Sequence, residues 1–145
     1  MRALKRLSAA QKWVVVLIVI TLALGASNLG KAVVALHYAR RLPDLPTTVS
    51  FGYLAAVGGF WGVAFVVCSL GLSRFWAWGR WSTLVAVTVY QVHVWINHLL
   101  FDASDYARQT RPRDLVLTGT LLLVFWVSLN LPAVRRAFRQ RDENR

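Results

Sequence analysis

Four long apolar runs, residues 13–36, 49–72, 81–101 and 115–134, alternate along the chain with short segments rich in Lys, Arg, Asp and Pro. Each has the roughly 20 mostly apolar residues that an α-helix needs to cross a hydrocarbon core about 30 Å thick. None alternates strictly as a barrel strand would, and in lipid only helices and closed barrels satisfy every backbone N–H and C=O. The pattern therefore predicts an all-α, four-helix transmembrane bundle, up-down-up-down, formed as a single domain over residues 1–145. The first helix can extend to about Tyr38 if Lys31 carries its ammonium out to the headgroups. A basic N-terminal segment before an apolar stretch that reaches Ala23-Leu24-Gly25 also fits a cleaved signal peptide, but the run continues through Ala32 to Leu36, which favours a retained span. Near the end of the fourth run Pro132 has no N–H and follows Asn130, so the helix should kink or restart there.

The third run carries no Asp, Glu, Lys or Arg after Trp81, yet it contains Tyr90, Gln91, His93, Asn97 and His98. At 100° per residue, Thr83, Tyr90 and Asn97 fall almost in line, with His93 to one side and Gln91 and His98 to the other, while Val92, Ile96 and Leu99 take the opposite face. An unsatisfied polar group facing lipid costs several kcal/mol, so this stripe should face the bundle interior and find partners. Asp102 stands one turn beyond His98, at a spacing suited to a hydrogen bond or ion pair. Two readings follow. The groups can hydrogen-bond between helices and set the register of the bundle, at about 0.6 kcal/mol each. Alternatively Asn28, Tyr90, Gln91, His93, Asn97 and His98 line a polar pocket in the outer half of the membrane, open to a quinone-like or lipid headgroup, a haem or a small solute.

The second run is rich in small residues four apart: Gly52 with Ala56, Ala55 with Gly59, and Gly58 with Gly62. Such spacing lets helix backbones approach closely, where no hydrophobic force draws helices together. Packing within the bundle is the simpler use of this face and self-association or a partner subunit the other. The segment Ser73 to Arg80 is short, which predicts a tight antiparallel hairpin between the second and third helices.

The 145 residues are 57% hydrophobic and carry a formal charge of +11. The basic residues lie between and beyond the apolar runs and form no folded basic face, so nucleic acid is not an expected partner. Arg2, Lys5, Arg6, Lys12, Arg74, Arg80, Arg135, Arg136, Arg139, Arg141 and Arg145 would share one side of the membrane. Lys31, Arg40, Arg41, Arg108, Arg111 and Arg113 share the other, with Asp44, Asp102, Asp105 and Asp114. The positive-inside rule then puts both termini in the cytoplasm, with Trp13, Phe75, Trp76, Trp78, Trp81 and Phe138 at the inner interface. Beyond the fourth run Arg135, Arg136 and Arg139 beside Phe138 form a lipid-headgroup segment, and Asp142 and Glu143 dilute its charge enough to predict a solvated, frayed end.

Candidate chemistry is sparse. The single Cys68 lies inside an apolar run, where a small packing role fits better than a reactive thiol. No Cys/His cluster has metal-site spacing, no phosphate loop follows a strand, and no nucleophile-base pair or paired carboxylate suggests catalysis. A haem would need axial ligands from facing helices, for which His37 and His98 are the available pair. The stretch Gly71-Leu72-Ser73-Arg74-Phe75-Trp76-Ala77-Trp78-Gly79-Arg80 resembles the inner hairpin of small bacterial four-helix membrane proteins, in which Gly-Leu precedes Arg-x-Trp-Ala. That resemblance implies a multi-pass protein of the bacterial inner membrane and assigns no functional residue. The first functional expectation is a non-enzymatic structural or accessory subunit that packs against membrane lipids and other membrane proteins; the second is a binding or transport module built on the polar pocket.

Overall fold

The computed structural model describes residues 9–42, 49–101 and 105–143, with side chains over 11–42, 49–100 and 109–139. The described residues form five helices and no strand: α1 (Ala9–Arg41), α2 (Phe51–Ser73), α3 (Ala77–Phe101), α4 (Asp105–Asn130) and α5 (Pro132–Glu143). The first four are long and apolar enough to cross a membrane. Their outer surfaces carry exposed Val, Leu and Phe all round, among them Val19, Val33, Phe60, Leu99, Val116 and Leu123, the surface that a hydrocarbon solvent accepts and water does not.

The most extensive contact joins α1 to α2. Here the small residues act: a Cβ on Gly58 would stand 2.8 Å from the Asn28 carbonyl oxygen, and one on Gly62 would strike the Leu29 side chain at 2.5 Å. Ala55, Gly58 and Gly62 are buried in this seam, facing Ala32, Ala35 and Gly25 of α1. Gly52 and Gly59 face open space and Ala56 is exposed, so only one strand of the small-residue pattern serves the fold. α1 runs through Ala23-Leu24-Gly25 without a break, and Val14, Leu17 and Thr21 on it are fully buried.

The hairpin between α2 and α3 is as short as predicted. Arg74 caps α2, Phe75 takes the left-handed conformation (φ 54°), Phe75 N–H donates to the Leu72 carbonyl and Trp76 N–H donates to the Gly71 carbonyl. This pair of bonds closes a helix in the Schellman manner, at a position where glycine is usual because a Cβ costs about 1–2 kcal/mol there. Phe75 offsets that strain by packing on Phe138 of α5, with ring centroids 5.3 Å apart. Gly71 and Gly79 then meet backbone to backbone, and the contacts between α2 and α3 continue in opposite senses, Cys68 reaching Ser82 and Trp61 reaching Tyr90.

Two expectations need correction at the far end of the chain. α4 begins at Asp105, ten residues before the predicted apolar run, and contains Pro112; it ends at Asn130, at the break expected from Pro132. The helix is set by backbone geometry and not by hydrophobicity, so it continues into polar sequence and gives up the one hydrogen bond Pro112 cannot make. The chain restarts at Pro132, at the first helical position, where its missing N–H is harmless. Over its described residues the tail is helical and docked, not frayed, although Arg135, Arg136 and Arg139 stay exposed as expected. Val134 is fully buried and Phe138 only 2% exposed, in one core with Val14, Leu17, Leu72 and Leu129, because α5 turns its apolar side up under the bundle. The side chains of Asp142 and Glu143 lie outside the described residues, as does Asp102.

Candidate binding cleft

The core is densest towards the α5 end, around Phe65, Leu72, Phe125 and Phe138. Towards the other end the apolar side chains buried between α1 and α2 are small (Ala32, Ala35 and Ala55), and the helices leave a cleft of about 440 Å³. Asn28 and Lys31 of α1 and Tyr90, His93 and Asn97 of α3 line it, with apolar walls from Val34, Leu54, Val57 and Val94. Four of the six predicted pocket residues thus converge: Asn28, Tyr90, His93 and Asn97. Gln91 and His98 do not line the cleft.

Asn28, Tyr90, His93 and Asn97 each have an identifiable partner. Asn28 Nδ2 donates to the Leu24 carbonyl one turn back (2.8 Å), and its amide lies 3.4 Å from the Tyr90 hydroxyl. The Tyr90 ring is held edge-on by Trp61 (5.3 Å) and Phe65 (5.1 Å), which fixes where its hydroxyl points. Trp61, 7% exposed, also lies 6.0 Å from the His93 ring and so packs behind both polar groups without lining the cleft itself. Asn97 Nδ2 approaches His93 Nε2 at 2.8 Å. The His93–Asn97 pair also borders a second depression of about 380 Å³, lined by Ser50, Tyr53, Ile96 and Leu100, and so stands as a partition between the two.

Gln91 turns the other way. It is 9% exposed and accepts a hydrogen bond from Thr118 of α4 (3.3 Å), whose hydroxyl in turn accepts from Trp95 Nε1 (3.3 Å). Further along the same seam Trp126 Nε1 donates to Thr88 Oγ1 (3.2 Å). The two readings of the polar stripe are therefore divided between its sides: Gln91, with Thr88 and Trp95, ties α3 to α4, while His93 and Asn97 hydrogen-bond to each other within α3 and, among the described residues, to no other helix, His93 meeting α2 through its ring contact with Trp61. His98 lies against Trp95 (5.8 Å), and His37 is exposed beside Tyr38, so neither proposed haem ligand points to the cleft. No group of three or more potential metal ligands occurs among the described residues.

Sequence reasoning missed Trp61 and Arg80. Trp61 sits between Gly58 and Phe65 at helical spacing on the buried face of α2, a signal that was present. Arg80 reads as a loop charge until α3 is seen to begin at Ala77, which puts it in the first turn of the helix. There it is only 8% exposed, its guanidinium 4.6 Å over the Trp81 ring and Nη1 near the Leu129 carbonyl and Asn130 Oδ1 (3.4 and 3.3 Å). No protein-family model matches this chain, and no curated protein or solved structure matches it.

Proposed function

We propose that the chain is a non-enzymatic, multi-pass protein of the bacterial inner membrane, crossing four times up-down-up-down with both termini cytoplasmic, whose cleft binds an amphiphile with an acceptor-bearing head, of the quinone-like kind. The observation that carries the binding reading is that His93 and Asn97 line a cleft while making no hydrogen bond to another helix among the described residues. Side chains kept in a membrane interior without a register-setting role are expected to serve a ligand. The cleft volume falls in the range of small-molecule sites, and its few polar groups on apolar walls are the usual composition of one. Lys31 at the cleft has no carboxylate partner among the described residues, which favours carbonyl or anionic oxygen in the head.

Titration of the detergent-purified protein with a short-chain quinone, followed by Trp fluorescence, tests this. Binding should quench Trp fluorescence, and the His93→Leu/Asn97→Leu variant should bind at least about tenfold more weakly while its melting temperature changes little. No saturable quenching by the unmodified chain, or equal affinity in the variant, would sink the binding reading; a general loss of stability would return the pair to a structural role.

The accessory-subunit reading draws on Gly52, Ala56 and Gly59, which face outward after Gly58 and Gly62 have been used within the fold, and on which a partner helix could approach closely. The orientation rests on the distribution of Lys and Arg. In a Cys68→Ala background, Arg40→Cys should react with a membrane-impermeant maleimide added to intact cells and Ser73→Cys should not. The reverse pattern would refute the orientation.

A further inference from the structure

At the α5 end, opposite the cleft, Arg80, Arg135, Arg136 and Arg139 line a concavity of about 410 Å³, with Ala77, Pro132 and Phe138 as its remaining surface. Arg80 is the unusual member. It is more than nine-tenths buried, both its hydrogen-bond acceptors are neutral, and Arg135 is close enough to repel it. Burying a guanidinium beside a second one is unfavourable unless an anion completes the group. Asp114 is the one carboxylate among the described side chains, and it pairs with Arg113 away from this concavity.

We infer that this cup binds the phosphate of an anionic phospholipid headgroup. Arginine forks match phosphate oxygens in geometry as well as charge. Two observations favour a lipid over a free anion. The cup is part apolar, through Ala77, Pro132 and Phe138, which suits the glycerol and upper chain. Exposed Trp78 and Trp81 stand beside it, at the level where indole rings mark a membrane interface. Basic pockets between helices on that side of a membrane are suited to such headgroups. The sequence predicted Arg135, Arg136 and Arg139 as a segment lying on lipid headgroups; what it did not show is a built cup, which exists because α5 docks under the bundle and brings these three arginines to a fourth, Arg80, on α3.

The inference needs the chain to lie in a bilayer but nothing of the cleft ligand, so the two can fail separately. The test uses the full chain in neutral detergent, comparing thermal stabilisation by phosphatidylglycerol, phosphatidylcholine and inorganic phosphate. Phosphatidylglycerol should bind well ahead of phosphatidylcholine, Arg135→Gln/Arg136→Gln should reduce that preference about 30-fold, and Arg135→Gln alone about fivefold. Arg135 and Arg136 are exposed, so neither change should disturb the fold. Arg40→Gln/Arg41→Gln, which removes the same charge at the other end, should leave the preference intact. Equal binding of the two lipids, an equal loss in the Arg40/Arg41 variant, or full stabilisation by inorganic phosphate alone would each overturn the inference, the last by assigning the cup to a free anion.

Discussion

Phe138→Ala is expected to undock α5 and to be among the most damaging single changes in the chain. Its ring is 2% exposed, packed with Val134 and Leu129 and against Phe75, and truncation of a buried Phe costs about 3–5 kcal/mol through lost contacts and the cavity left behind. The effect should exceed a simple cavity, because Phe75 keeps its left-handed backbone strain but loses the contact that offsets it. Limited trypsinolysis reads this out: cleavage after Arg135, Arg136 and Arg139 should accelerate strongly in Phe138→Ala, and hardly at all in Leu131→Ala, whose side chain is already exposed. The lipid preference should fall with it, since three of the four arginines of the cup ride on α5. If Phe138→Ala were cut no faster than the unmodified chain, α5 would not be held by this core.

The second large effect belongs to glycines whose missing Cβ is what allows two backbones to meet. A Cβ on Gly79 would stand 2.4 Å from the Gly71 carbonyl carbon, and one on Gly58 would stand 2.8 Å from the Asn28 carbonyl oxygen. Backbone atoms cannot rotate aside as a side chain can, so Gly79→Ala and Gly58→Ala must push helices apart and should destabilise by about 1–3 kcal/mol, with Gly79 the worse. Gly52→Ala and Gly59→Ala are the internal controls, with nothing within 4 Å of either added methyl. They should be neutral or, through helix propensity worth up to about 1 kcal/mol, slightly stabilising. Thermal unfolding of the four variants in one detergent decides the matter, and equal behaviour of all four would refute the assigned seam. A defect confined to self-association in Gly52→Ala and Gly59→Ala would instead support a partner on the outward face.

Hydropathy located all four long helices, because the length of an apolar run and the need to satisfy the backbone leave few alternatives in lipid. It misplaced ends: α4 starts well before its apolar run, since helical hydrogen bonding extends beyond the hydrocarbon and hydropathy reports only the part that must be buried. The angular arithmetic of α3 separated His93 from Gln91 correctly, because 3.6 residues per turn is a property of the backbone alone. Which of those sides met a cleft and which met α4 could not be read from one helix.

From sequence alone came the helical class, the candidate spans, the break at Pro132 and a polar side to α3, all consequences of local periodicity and of what a single segment can satisfy by itself. Tertiary structure alone decided that Gly58 and Gly62 pack against α1 while Gly52 and Gly59 do not, that Asn28 meets Tyr90, and that Arg80 is buried against the end of α4 beside the arginines of α5. Those outcomes depend on how far apart helices stand and at what rotation. Distances between segments remote in sequence are set by the packing of every side chain between them, which no local pattern encodes.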